Sequence, residues 1–277
     1  VLTQCRPHLI EKTFEAIKGA KRVIVHAYCA TSELHMSRVF KMSPEQTLEM
    51  IVRAIRQIRA LADAMPETDI RLEFSPEEFT DTDPNFALQV CEAVFETWGK
   101  ATEEKPLIFN LPATVERRTP DQYADMIEWF CENFSQRQKI LVSVHAHNDQ
   151  GMAVAATEFA LRAGADRVEG TLFGHGERTG NVDLVTLACN LRFRGIDTGL
   201  DFSNLPRIIE VVEKLTGMPV SARHPYAGEL VTTAFSGSHQ DAVRKGMDSR
   251  TAGEWKVPYL HFDPSDVGRD YEPLIRI

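Results

Sequence analysis

Strand-like and helix-like segments take turns along this chain, and no stretch of it is rich in one kind alone. Short apolar runs rich in β-branched residues stand at 22–28 (RVIVHAY), 70–74 (IRLEF), 106–111 (PLIFNL), 139–147 (KILVSVHAH) and 166–173 (DRVEGTLF), with 195–201 (GIDTGLD) as a weaker sixth. Helical spacing fills the gaps. From residue 6, Leu9, Ile10, Thr13, Phe14 and Ile17 recur at that spacing until Gly19, so the first element reads as a helix. Ser43-Pro44-Glu45-Gln46 and Thr119-Pro120-Asp121-Gln122 are capping boxes with proline at the first helical position, and Asp83-Pro84 opens another helix. Two more helices are expected over 151–163 and 181–193.

Parallel strands need a crossover between them, so regular alternation predicts an α/β fold with a parallel sheet, either closed as a barrel or open and doubly wound. Near-continuous apolar strands fit burial on both faces. Polar residues gather where the strands end: His26, Ser75 with Glu77, Asn110, His145 with His147, and the loop after Phe173. A barrel brings all such ends to one mouth, whereas an open sheet uses only the loops at a switch point. The expected fold is therefore a (β/α)8 TIM barrel, which takes about 250 residues. With about six strands and a helix first, roughly the first two βα units are expected to be absent. After 203 the alternation stops, and Leu205, Ile208, Ile209, Val212 and Leu215 make an amphipathic helix followed by loop, helix and a proline- and glycine-rich tail. The chain is thus divided into a barrel portion, 1–202, and a helical extension, 203–277.

Bulk properties exclude several classes. A formal net charge of −9 argues against a general nucleic-acid or anionic-membrane binder. Nothing in the sequence reaches the roughly 18 uncharged apolar residues of a membrane span. The five cysteines are scattered and form no CxxC pair, which fits a reduced, cytoplasmic protein.

The chemistry concentrates in two loops. His145 and His147, in SVHAHNDQG, end an apolar strand; residues i and i+2 of a strand share a face about 6.5–7 Å apart, so both imidazoles can reach one ion, or both are simply polar residues leaving a strand. In GHGERTGN (174–181), Thr179 stands where a dinucleotide fingerprint needs glycine. That loop is either a solvated turn or the source of an amide ligand from Asn181, with Glu177 and Arg178 paired. Two imidazoles and an amide call for a carboxylate as well, and Asp149 is the nearest, unless it orients a histidine instead. Ser75-Pro76-Glu77-Glu78 matches a capping box, while Glu77 at a barrel mouth also suits a general acid or base. Thr114 can bind a carboxylate or cap a turn, and His224 is a lone loop histidine.

HAHNDQGMAVAAT followed by EGTLFGHGERTGNVDLVTL resembles the two metal-site signatures of the α-isopropylmalate and homocitrate synthase family of metal-dependent TIM barrels. FSPEEFTDT, IFNLPATVE, RHPYAGELVTTAFSGSHQDA and VPYLHFDPSDVGR are similar to its longer-type isopropylmalate synthase branch, and the resemblance runs over nearly the whole chain. It implies condensation of acetyl-CoA with 2-oxoisovalerate to 2-isopropylmalate and free CoA, the first committed step to leucine. It also implies a divalent metal (Mg, Mn or Zn) held by His145, His147 and Asn181, Glu77 and His224 as acid–base residues, Thr114 on the substrate carboxylate, and His26 and Ser75 lining the oxo-acid pocket. The partners expected are these two substrates and a second copy in a homodimer, with no nucleic acid and no membrane. One departure stands out: the family's D-x-x-L-R-D-G segment, which supplies an anionic ligand and an arginine, is not found here. The chain is accordingly expected to be part of a synthase, also without the domain through which leucine inhibits the family, and by itself to bind metal weakly and turn over little. Homocitrate synthase, citramalate synthase and hydroxymethylglutaryl-CoA lyase share the HxHN core. A non-catalytic partner subunit and a phosphate-binding isomerase barrel are the readings from other classes.

Overall fold

A computed structural model describes residues 1–251 and 255–273 of the chain. Two compact units emerge, Val1–Gly170 with Gly176–Val182, and Thr171–His175 with Asp183–Ile277. The change of sequence pattern at 203 and this change of packing at 183 are separate features of the chain.

The first unit is a six-stranded sheet, parallel throughout, with its strands in sequence order. Its elements are β1 (Leu2–Gln4), α1 (Pro7–Ala16), β2 (Arg22–Ala30), α2 (Pro44–Asp63), β3 (Asp69–Glu77), α3 (Pro84–Trp98), β4 (Leu107–Ala113), α4 (Pro120–Asn133), β5 (Ile140–Ala146), α5 (Ala153–Arg162) and β6 (Arg167–Glu169). Both capping boxes form, at Ser43 and at Thr119, and Asp83 caps α3 by accepting from the Phe86 N–H. Two expectations change. The first element is not α1 but the three-residue β1, too short to show a period, which pairs with β2 from Leu2 opposite His26. The sixth strand is therefore at the start of the chain, and 195–201 is turn and bend in the second unit, where the Ile196 N–H turns back onto the Leu191 carbonyl.

The strands look apolar because their outward face is. Val25, Leu72, Phe74, Phe109, Leu111, Val142 and Val144 are all fully buried, as are Ile10, Ile51, Ile55, Val90, Ile127 and Phe130 of the surrounding helices. An aromatic cluster seals part of this layer: Phe130 lies 6.2 Å from Phe109 and 5.6 Å from Phe134, ring centre to ring centre. The inward face is polar instead. His26, Glu73, Ser75, Asn110, Ser143, His145, Arg167 and Glu169 occupy the alternate positions.

Those inward groups show that the sheet is curled. In a flat sheet β2 and β6 lie about 19 Å apart, four strand spacings, yet ligand atoms of His26, Glu73 and Glu169 all come within 4.8 Å of one another. Arg167 Nη1 donates to Glu73 Oε1 at 3.1 Å, to Ser143 Oγ at 3.0 Å and to Glu169 Oε1 at 2.5 Å. Burial, and then the neighbouring Glu169, push the Glu73 carboxyl up to about 8. Burial also pushes on Glu169, but the bonds from Glu73 and Arg167 hold it below the usual carboxylate range. The pair therefore keeps one proton, on Glu73, and its single negative charge is matched by Arg167.

The second unit contains α6 (Leu184–Phe193), α7 (Leu205–Thr216), β7 (Thr233–Ala234), α8 (Gly237–Asp248) and β8 (Glu272–Pro273), with β7 and β8 paired. Its core gathers Phe173, Val185, Cys189, Phe202, Leu205, Tyr226 and Phe262, and α7 lays Ile208, Ile209 and Val212 against it. The amphipathic reading of α7 is thereby accounted for, although Leu215 is exposed.

The two layers make separate predictions. Because the Glu73 pKa is raised on folding, its contribution to stability is full below about pH 4 and is lost as pH rises through about 8. Glu73→Gln, which cannot ionise, should remove that loss, so urea unfolding of wild type and variant from pH 5 to 9 should show the wild type losing ground as pH rises. A constant difference between them would mean that Glu73 is ionised in the native state. In the outer layer, Phe130→Ala should cost about 3–5 kcal/mol in the same measurement, and Phe130→Leu clearly less.

Candidate active site

Seven of the residues singled out in the sequence, His26, Ser75, Glu77, Thr114, His145, His147 and Asn181, line one cavity of about 540 Å³ in the first unit. His26 sits mid-way along β2; the others lie in the last three residues of a strand, just beyond its end, or in the Gly176–Val182 segment. Strand alternation and parallel pairing bring them together; nothing local in sequence does.

The floor of the cavity is a hydrogen-bonded line. His26 Nε2 is 2.7 Å from Ser75 Oγ, and Asn110 Nδ2 donates to both Ser75 Oγ and Glu169 Oε2, at 3.2 Å each. Burial pulls the His26 imidazole down to about 4, so it is neutral at pH 7. Ser75 is thus not the cap of a helix. It continues β3 opposite Tyr28, its hydroxyl is taken by His26 and Asn110, and Glu78 then turns the chain with a left-handed φ of 58°. Asn110 was visible in the sequence only as a polar strand end, and Glu169 not at all; position i+2 from Arg167 on a polar inward face is the signal that finds it.

His145 and His147 face the same space, with ring centroids 5.1 Å apart and planes at 79°. Asn181 forms an antiparallel bridge with His147, and its Nδ2 lies 3.0 Å from His145 Nε2. Burial lowers the pKa of both imidazoles, leaving them neutral with lone pairs to offer, the form in which histidine binds a metal. Nδ1 of each ring is buried without a hydrogen-bond partner. A Cβ on Gly176 would fall 1.7 Å from Asn181 Oδ1, so only glycine admits the amide at that place. Two neutral imidazoles beside an amide fit part of the coordination of a divalent ion once the amide is turned so that its oxygen stands where Nδ2 faces His145. His26, Glu73 and Glu169 also lie close enough together to hold a cation. The guanidinium of Arg167 already sits among those carboxylates, however, so that charge is met from within the chain.

At the rim, burial raises the Glu77 pKa; His35 opposes this, and Glu78 and Glu177 add to it. Neighbouring Glu78 is buried, accepts from Ser32 Oγ and lies 2.8 Å from His35 Nδ1, while its N–H donates to Thr114 Oγ1 at 2.9 Å. That bond occupies an oxygen lone pair of Thr114 and leaves its hydroxyl hydrogen free to donate. The expected pairing of Glu177 with Arg178 is marginal, at 4.0 Å. Arg178 instead grips Asp149, and Asp149 therefore does not orient a histidine; its carboxylate is pulled down to about 2, first by that bond.

His224 belongs to the second unit, where its Nε2 lies 2.9 Å from Asp183 Oδ2. Burial works against its charge, but the bond to Asp183 outweighs this and raises its pKa. Asp183 also caps α6 through the Val185 and Thr186 N–H groups.

Known proteins match along the same lines. The HMGL-like family matches residues 1–212, and the α-isopropylmalate synthase post-catalytic domain-like family matches 229–277. The 2-isopropylmalate synthase of Acetoanaerobium sticklandii is 54% identical over 279 residues, which cover 100% of this chain and 49% of that protein. That of Azotobacter vinelandii is 54% identical over 278 residues, covering 100% and 50%. The chain thus spans about half the length of these curated relatives. Among solved structures, an HMG-CoA lyase from Bacillus subtilis aligns with a TM-score of 0.59 at 20% identity, over 80% of this chain and 71% of that one. An HMG-CoA lyase from Acinetobacter baumannii, in complex with coenzyme A and 3-methylmalate, gives 0.57 at 16%, over 79% and 69%. These likenesses establish the TIM-barrel fold, and the match over 1–212 makes the chain a member of the HMGL-like family.

Proposed function

We propose that the chain carries catalytic machinery of a cytoplasmic 2-isopropylmalate synthase, joining the acetyl group of acetyl-CoA to 2-oxoisovalerate and releasing CoA. The observation that carries this is the convergence of His145, His147 and Asn181 with Glu77, Ser75, His26 and Thr114 on one cavity, in a chain 54% identical throughout to proteins of that name.

A divalent cation (Mg, Mn or Zn) at His145, His147 and Asn181 would supply Lewis acidity at the oxo acid's carbonyl. The chain's own groups do the rest. His26 and Ser75 hold the oxo acid, and Thr114 donates its free hydroxyl hydrogen to the substrate carboxylate. Glu77, its pKa lifted by burial, takes a proton from the acetyl methyl group; a carboxylate made more basic is the better base at neutral pH. The carbanion so formed adds to the oxo carbon, and water then cleaves the thioester. His224, oriented by Asp183 and able to carry a proton, is the second acid–base residue. On the same reading 1–202 is the catalytic portion and 203–277 the extension, and two copies form a homodimer. The two family matches leave 213–228 between them, downstream of that division.

Substrate choice tests the assignment. With Mn²⁺ present the chain should bind 2-oxoisovalerate, and pyruvate or 2-oxoglutarate at least about tenfold more weakly, as read by calorimetry. Preference for 2-oxoglutarate would move the assignment to homocitrate synthesis. Where CoA release from acetyl-CoA is followed through its free thiol, Glu77→Gln should lower kcat about 10²–10⁴-fold with the oxo-acid KM little changed. A rise in KM alone would make Glu77 a binding group.

A further inference from the structure

The three residues read as metal donors stand on two separate segments. His145 and His147 are at the end of β5, and Asn181 is in Gly176–Val182. An ion needs donor atoms placed to a few tenths of an ångström, so something must fix one segment against the other. Backbone bonds do part of this: the Asn148 N–H donates to the Gly180 carbonyl and the Val182 N–H to the Ala146 carbonyl.

Arg178 does the remainder with its side chain. Its Nε donates to Asp149 Oδ1 at 2.7 Å and its Nη2 to Asp149 Oδ2 at 3.0 Å, a two-pronged grip on the carboxylate two residues beyond His147. The same Nη2 donates to the Thr114 carbonyl at 2.6 Å. Asp149 Oδ2 in turn accepts the Glu116 N–H at 2.9 Å, and the buried Glu116 carboxylate accepts the N–H groups of Gln150 and Met152. One guanidinium thus joins three segments, those following β4 and β5 and the one bearing Asn181. Arg178 holds a left-handed φ of 54°, a conformation non-glycine residues rarely adopt, so these bonds also sustain a local turn that would otherwise relax.

We propose that Arg178 is a positioning residue: through Asp149 and the Thr114 carbonyl it holds Asn181 in register with His145 and His147. This rests on the reading of those three as metal donors. Exposed ion pairs contribute little to global stability, so the effect is on the loop rather than on the fold.

Cobalt(II) titration of the chain, followed by its visible absorption, is the first test. Arg178→Ala should weaken Co²⁺ binding about 10–100-fold, and Asp149→Ala by a similar factor, with the double variant losing no more than either alone. Removing a positive charge favours a cation, so weaker binding in Arg178→Ala reports lost positioning and not electrostatics. Arg117→Ala, which deletes an exposed cation paired with Asp81, should not weaken binding. Arg178→Lys, keeping the charge but not the fork, should fall between wild type and Arg178→Ala. The second test needs no metal. Hydrogen–deuterium exchange of the 176–182 segment should be at least about tenfold faster in Arg178→Ala and faster in Arg178→Lys, with α2 unchanged. Wild-type exchange in that segment, or wild-type cobalt affinity in Arg178→Ala, overturns the proposal. Absence of cobalt binding by the wild type would overturn the metal reading, while the exchange measurement still decides the role of Arg178.

Discussion

The guanidinium of Arg167 is the charge on which the interior of the first unit depends. Seen as an outer-layer problem, this barrel is ordinary, with aliphatic and aromatic side chains between strands and helices. Its inside is not. Glu73 and Glu169 face each other across a curled sheet, and two ionised carboxylates at that distance would force the strands apart. Arg167 bonds both, and Ser143 as well, so β3, β5 and β6 are braced through one side chain. A half-buried charge cluster contributes little next to well-packed hydrocarbon. What it provides here is a polar floor: Asn110 hangs from Glu169, Ser75 from Asn110, and His26 from Ser75, and that line ends in the cavity. The site groups are placed by the same bonds that brace the curled sheet.

Much of this was legible in the sequence because two periods coexist in it. Strand–helix alternation and the capping residues at Ser43, Asp83 and Thr119 mark the helices of the first unit, and these caps form. The HxH spacing puts His145 and His147 on one face, and the structure keeps them there. What the sequence hid was set by partners far along the chain. Ser75-Pro76-Glu77-Glu78 satisfies the local rule for a helix start, but His26, 49 residues earlier, and Asn110, 35 later, claim the Ser75 hydroxyl. Arg178 has a neighbour of opposite charge at 177 and ignores it for Asp149, 29 residues away, because only the latter offers a bidentate approach. β1 was missed for a simpler reason: three residues carry no period, and only the parallel pairing with β2 makes them a strand.

His224 marks the limit of reading residues one at a time. As a lone loop histidine it could be called anything; joined to Asp183 it becomes an imidazole that holds its proton more tightly than a free one would. Asp183 is held in turn by Thr186 and by the first turn of α6, so the dyad is fixed by a helix start. The chemistry of this pair is a property of the second unit's own fold.

Two non-glycine residues in left-handed conformation, Glu78 and Arg178, sit beside candidate site groups, next to Glu77 in one case and three residues before Asn181 in the other. Each is held there by its side chain: Glu78 by Ser32 and His35, Arg178 by Asp149 and a carbonyl. Such backbone costs of order 1–3 kcal/mol and persists only where surrounding bonds over-determine it. Glu78 ends β3 abruptly just after Glu77, which lines the cavity, while Arg178 turns the irregular loop that carries Asn181. Glycine would turn as easily but would bring no side chain to lock the turn. Aspartate or asparagine tolerates the left-handed region better than either, yet neither could reach as far as Glu78 and Arg178 reach. The mouth is therefore shaped by long polar side chains whose bonds fix the turns, Glu78 through Ser32 and His35 and Arg178 through Asp149 and the Thr114 carbonyl.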